Sequence, residues 1–133
     1  MKERPLENVL YRPLENGAVA DGWPLYRIPD QSFGKKPADL IGMASNGLAV
    51  LVEAKVVQKL PANTQFFPWQ LFESNQINWL NAYQNAGAFA LAALFEWPTD
   101  TMRVYRIQKE APYPAVDLKL TKAGYVGWSL LLK

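Results

Sequence analysis

The sequence predicts an α/β or α+β domain, a single unit over residues 1–133 with a mixed β-sheet and flanking helices. Three observations carry this. Leu48–Val57 is apolar on both alternating faces, which marks a central strand in a covered sheet. Ala88–Trp97 reads as a second buried strand. Between them, Trp69–Ala86 has a helical period, with Phe72, Gln76, Leu80 and Tyr83 on one face and Ile77 and Trp79 flanking it.

The elements follow in chain order. Residues 3–12 predict a short helix, with Pro5 in its first turn and Leu6, Val9 and Leu10 on one face. Pro13 ends it. Gly17–Trp23 reads as a loop and Pro24–Ile28 as a short strand. Pro29–Pro37, rich in Pro, Gly and Lys, is an exposed connection. Ala38–Ala44 and Leu48–Val57 are the next strands, joined at the turn signal Ser45-Asn46-Gly47. A loop over 60–68 precedes the main helix, which Gly87 stops. After Ala88–Trp97, Pro98-Thr99-Asp100 forms a turn and Met102–Gln108 a strand. Periodicity does not decide between strand and terminal helix for Val126–Leu132.

Composition narrows the chemistry. The chain has 133 residues, half of them hydrophobic and a fifth charged, as in an ordinary globular protein with one core. No apolar run reaches the ~18 residues of a membrane span, and the charged start Met1-Lys2-Glu3-Arg4-Pro5 does not read as a secretory signal. Cysteine and histidine are both absent. Disulfides, zinc-thiolate sites, Cys nucleophiles and Ser-His-Asp catalysis are therefore excluded. Acid-base or metal chemistry must come from Asp, Glu, Lys or Tyr, and oxygen-only ligands favour a hard cation such as Mg²⁺ or Mn²⁺. A net charge of +2 is compatible with nucleic acid without arguing for it.

One spacing points to a site. Glu53 and Lys55 interrupt an otherwise apolar strand face together, and Asp39 lies on the preceding strand. If Ser45-Asn46-Gly47 is a three-residue loop with Gly47 left-handed, Ala44 faces Leu48 and Asp39 faces Glu53. Their Cβ atoms would then be roughly 5 Å apart, with Lys55 on the same side. If Asn46-Gly47 is a two-residue loop, Asp39 faces Ala54 and turns away unless a bulge restores the register. Opposed carboxylates repel without a cation, and a divalent ion with Lys55 would relieve them. The plain alternative is that Glu53 and Lys55 mark a sheet edge and Asp39 is a loop acid.

These residues resemble the PD-(D/E)XK nuclease superfamily, whose signature is a Pro-Asp-like element, a hairpin and Asp/Glu-x-Lys on the second strand. Here they are Pro37-Ala38-Asp39 and Glu53-Ala54-Lys55. Phe67-Pro68-Trp69-Gln70-Leu71-Phe72 followed by Asn75-Gln76-Ile77 is similar to a further block of the RecU-type Holliday-junction resolvases, so the resemblance covers about residues 33–107. It implies a restriction-endonuclease-like core with Asp39 and Glu53 as metal ligands, Lys55 as the catalytic lysine and Gln76 supporting the site. It also implies an extra acid from the first helix, Glu7 with Glu3 in reserve. Pro29-Asp30 is a rival for the Pro-Asp element, set aside because it does not lie on the hairpin. Asn75 stands where the family often has His.

The function expected is a metal-dependent endodeoxyribonuclease acting on Holliday-junction or other branched DNA, as a cytoplasmic homodimer with Mg²⁺ or Mn²⁺. Such a small nuclease would suit a phage or mobile element. Another nuclease of the superfamily, or a non-catalytic DNA-binding protein on its fold, is the alternative. Lys35, Lys36 and Lys59 are candidate DNA contacts, with a solvated basic surface as the plain reading. Phe66, Phe67 and Trp69 are read first as core packing and second as a stacking surface.

Overall fold

The computed structural model describes residues 23–28, 38–62, 67–97, 99–110, 112–121 and 124–132. The expected helix over 3–12 and the connection after Pro29 lie outside these residues. Seven strands form one sheet whose order follows the chain. They are β1 (Leu25–Arg27), β2 (Leu40–Met43), β3 (Ala49–Val57), β4 (Phe89–Glu96), β5 (Thr101–Ile107), β6 (Ala115–Thr121) and β7 (Gly124–Val126). Helix α1 (Ser74–Asn85) joins β3 to β4.

That connection makes the sheet mixed. β3 and β4 run parallel, and every other neighbouring pair is antiparallel. A parallel pair cannot be closed by a tight turn, and α1 supplies the crossover. Two apolar clusters line the faces. On the face carrying α1, Leu51, Ala90, Ala92, Leu94, Tyr105 and Ile107 pack with Phe72 and Leu80. On the other, Val50, Val52, Phe89, Leu91 and Val104 pack with Trp23 and Trp128. β4 is buried from Phe89 to Phe95, as its continuous apolar run predicts for a central strand. No helix among the described residues is long and apolar enough to cross a membrane.

One expectation is corrected. The main helix is not continuous over Trp69–Ala86. Trp69–Leu71 is a 3₁₀ turn, Phe72 is extended (φ −110°, ψ 142°), and the α-helix starts at Ser74. Phe72 leaves the helical path to bury its ring in the core, where it stacks on Phe67 at 5.3 Å. In the C-terminal region, β6 and β7 follow β5. The stretch Val126–Leu132, open between strand and helix, divides: Val126 ends β7 and Trp128–Leu132 is a 3₁₀ turn. Trp128 is the reason in packing terms, being fully buried with its ring 6.1 Å from Trp23.

Gly42 fixes how closely β1 and β2 approach. It faces Leu25, and a Cβ built on it would lie 2.0 Å from the Pro24 carbonyl oxygen. Gly42→Ala should therefore displace β1 and lower stability by about 1–3 kcal/mol, the usual range for overpacking. Urea denaturation checks this, with an unchanged midpoint as the contrary result.

Candidate active site

The hairpin between β2 and β3 uses the three-residue loop. The Ala44 N–H donates to the Leu48 carbonyl (2.8 Å) and the Gly47 N–H to the Ala44 carbonyl (2.9 Å). Gly47 has φ +87°, the left-handed conformation that a type I turn followed by a glycine requires. The register is then Met43 with Ala49, Gly42 with Val50, Ile41 with Leu51 and Leu40 with Val52. Regular continuation would set Asp39 opposite Glu53, as the three-residue loop predicts, but the paired register ends at Leu40 with Val52.

At that step the ladder is irregular. The Asp39 N–H donates to the Val52 carbonyl at 3.0 Å, although Val52 already faces Leu40. Two residues of one strand thus oppose one of the other, which defines a β-bulge. The faces show the same shift of parity. Leu40 packs in the cluster opposite α1, whereas Ala38, two residues away, packs in the cluster under α1. Beyond the bulge, the Ala54 N–H finds an acceptor in the side chain of Asp39, whose Oδ2 lies 2.8 Å away. The Asp39 carboxylate is thereby anchored on the peptide between Glu53 and Lys55.

Glu53 is 4% exposed and is the one buried charged residue among those described. Burying a carboxylate is costly unless hydrogen bonds and positive potential compensate. Gln76 provides a hydrogen bond, with its Nε2 donating to Glu53 Oε1 at 2.8 Å. The amide oxygen of Gln76 is held from the other side by the Glu73 N–H at 2.9 Å. This is half of a capping box, in which the Glu73 side chain accepts from the Gln76 backbone N–H. The box orients the amide with its NH₂ toward Glu53. The break at Phe72 and Glu73 therefore has a chemical result. It starts α1 beside Glu53, where the first-turn peptide dipoles favour negative charge.

Lys55 is half-buried, two residues along β3 on the face of Glu53. Its Nζ lies 5.8 Å from the centre of the Phe72 ring, within cation–π range. Phe67 backs that ring and also meets Trp69 (4.6 Å), Tyr105 (5.0 Å) and Tyr113 (5.8 Å). Phe67 and Trp69 are thus packed against the core, and Phe66 lies outside the described residues.

The loop leaving β3 is tied down beside the site. Glu96 Oε2 accepts from the Leu60 N–H at 2.6 Å, and Arg103 Nη1 donates to the Pro61 carbonyl at 2.8 Å. Arg103 is held in turn by Asp117, 2.8 Å from its Nε, which pushes the guanidinium pKa above its ordinary value. The Thr99 hydroxyl and then the Leu60 N–H keep the Glu96 carboxyl below the usual carboxylate range, with Arg103 and Lys59 adding attraction. Lys59 is exposed on this loop.

Of the residues singled out from sequence, Gln76 is hydrogen-bonded to Glu53, Lys55 lies two residues along the same strand, and the Asp39 carboxylate is held on the Ala54 N–H between them. Lys59 lies on the neighbouring loop, electrostatically coupled to Glu96. Glu3, Glu7, Asp30, Lys35 and Lys36 lie outside the described residues. The sequence reading missed Glu73, Glu96 and Arg103. For Glu73 a signal existed, because Gln76 three residues later is the capping-box spacing, but Glu is an unusual N-cap. As for a metal, two carboxylates without nitrogen or sulfur ligands suit a hard divalent cation. Each offers about four acceptor positions, so an anchoring hydrogen bond is compatible with ligation. Among the described residues no third acidic side chain joins them in a ready-made metal cluster.

No protein-family model matches the chain, and no curated protein matches it. Among solved structures it is similar to Hjc, a Holliday junction resolvase from the archaeal hyperthermophile Archaeoglobus fulgidus. The identity is 18%, the match covers 72% of this chain and 75% of that one, and the TM-score is 0.45.

Two measurements test the site's construction. Gln76→Glu would set a second carboxylate against Glu53 and should lower stability at pH 7 by about 1–3 kcal/mol. Protonation of either acid relieves the repulsion, so the deficit should shrink as pH falls toward 5. Urea midpoints at both pH values check this, and a pH-independent deficit would contradict it. The Glu96 carboxyl, whose pKa folding lowers, contributes stability above the unfolded carboxylate range. That contribution disappears as pH falls through the lowered folded value. Glu96→Gln should therefore destabilise at neutral pH and converge on wild type in acid, as a pH series of thermal midpoints would register.

Proposed function

We propose that this chain is a metal-dependent endodeoxyribonuclease hydrolysing phosphodiester bonds. One observation carries the reading. A buried glutamate, Glu53, shares a strand face with Lys55, and the Asp39 carboxylate is anchored on the peptide between them. A structural ion pair at a sheet edge needs neither the bulge at Asp39 nor the amide of Gln76 aimed at Glu53.

Asp39 and Glu53 would hold a Mg²⁺ or Mn²⁺ ion, which when bound lowers the pKa of a water and polarises a phosphoryl oxygen. Lys55 presents an ammonium on the same face. It holds the attacking water or stabilises charge on the phosphorane-like transition state. The Phe72 ring beside it restricts where that ammonium sits. Gln76 orients Glu53 and is itself oriented by the helix cap. The exposed Lys59, with Lys35 and Lys36 before the hairpin, supplies charge for the phosphate backbone.

The substrate class follows from the sequence resemblance to the RecU-type resolvases, which supports a four-way or other branched DNA cut by a cytoplasmic homodimer. A two-fold dimer provides the two active sites that paired incisions need. The test is cleavage of four-way-junction, flap, duplex and single-stranded DNA with Mg²⁺, Mn²⁺ or EDTA. Cutting should require the metal and prefer the junction. Lys55→Ala and Asp39→Asn should each reduce it by at least about 10²–10³-fold with folding intact, the usual loss for a group acting on transition-state charge. Undiminished cleavage by either variant would sink the assignment. DNA binding insensitive to Mg²⁺, with no cleavage, would point to a non-catalytic binding protein.

A further inference from the structure

We infer that Arg103 is a positioning residue for DNA: through the Pro61 carbonyl it holds the exposed Lys59 as a fixed contact for a backbone phosphate. The chain leaving β3 carries the observation. Val57 ends the strand, and its carbonyl accepts from the Trp97 N–H at 3.1 Å. The Leu60 N–H, which belongs to the peptide joining Lys59 to Leu60, donates to Glu96 Oε2 at 2.6 Å. The Pro61 carbonyl accepts from Arg103 Nη1 at 2.8 Å. The Leu60 side chain packs against the cluster under α1. Between these ties stand Gln58 and Lys59, both exposed. Lys59 forms no ion pair among the described residues, so its ammonium is open to an external anion.

Arg103 is itself held. Its side chain is 12% exposed and faces Asp117 across β5 and β6. Asp117 accepts from its Nε at 2.8 Å and from its Nη2 at 3.4 Å, which leaves Nη1 aimed at Pro61. A planar guanidinium serves a carboxylate and a carbonyl at once in fixed directions, which the point charge of an ammonium does not. Arg103 also stands at the level of Lys55, with Leu94 between them. The strand that carries Lys55 and the bend that carries Lys59 are thus tied to one frame. Lys59 follows Lys55 by four residues, so their Cα atoms are at most about 14 Å apart. Phosphates of one DNA strand recur every ~3.4 Å of helix axis, which puts Lys59 within about four nucleotides of a phosphate held at Lys55. Surface loops are ordinarily mobile, and ordering a long side chain on binding weakens affinity. A bend pinned on both sides avoids part of that loss. The inference rests on the DNA-binding part of the reading above and not on cleavage.

Binding of a four-way DNA junction by the full chain in EDTA, measured across a salt series, tests it. Lys59→Ala should weaken binding and lower the slope of log K against log salt by about one. Arg103→Lys keeps the charge and loses the fork. It should raise Kd about three- to tenfold and flatten the salt slope in the same direction. In the Lys59→Ala background the same change should add less than about twofold, because the two act through one contact. Asp117→Ala discriminates by sign. The Asp117 side chain is 51% exposed, so the fold should tolerate its loss. Removing an anion would by charge alone tighten DNA binding, whereas an Arg103 that has lost its hold predicts weaker binding. Thermal midpoints check the fold of each variant. Tighter or unchanged binding by Asp117→Ala would overturn the inference. So would additive losses from Arg103→Lys and Lys59→Ala, a destabilised Arg103→Lys with unchanged Kd, or a wild type that binds no DNA. The expected pattern of binding without cleavage in Mg²⁺ would leave Arg103 in this role and remove the nuclease reading alone.

Discussion

Burial of the Glu53 carboxylate constrains the structure around it. At 4% exposure it sits where the sheet and the first turn of α1 meet, and each neighbour reflects that cost. Across the parallel pair it faces Ala92, a methyl that leaves room for the carboxylate and the Gln76 amide beneath the helix. Along its own strand comes Lys55, and beyond the hairpin comes Asp39. The helix begins late, at Ser74, so that an N-terminal cap can turn the Gln76 amide toward the acid. A helix continuous from Trp69 would have used the Glu73 N–H in its own ladder and left the amide without that anchor.

Rigidity is distributed to match. β3 is flanked by β2 and β4, and its far end is fixed by the Glu96–Leu60 and Arg103–Pro61 hydrogen bonds. Lys55 therefore lies between two restrained points, and the aromatic group of Phe67, Phe72 and Tyr105 supports the floor beside it. The bulge is the local departure from regular pairing. It diverts the Asp39 N–H to Val52, and the Asp39 side chain then serves Ala54. Bulges commonly re-aim a side chain at a functional site, and here the redirected group is a carboxylate.

α1 links two roles. Its inner residues Gln76 and Leu80 hold the site and the core, while its outer face is neutral and carries Trp79. The helix packs on β3, β4 and β5, so its first turn is held in place over the carboxylate beneath.

Much was legible in the sequence because it depends on local rules. Alternation showed that β3 and β4 are central and that Glu53 and Lys55 share a face. Ser45-Asn46-Gly47 contained the turn chemistry for both possible loops, and Gln76 fell on the inward side of a helical period. The choice between the loops was a tertiary matter. Two- and three-residue turns suit the same residues, and only pairing of the flanking strands in a covered sheet selects the register. The bulge at Asp39 was equally hidden, since it arises where β2 must serve both β1 and β3. The division of Trp69–Ala86 was decided by Phe72 entering the core, a gain that outweighs one continuous helix and that no periodicity records. The sequence alone therefore determined which residues have the chemistry of a site. The tertiary structure decided their register and orientation, because both depend on long-range pairing and burial that single segments do not encode.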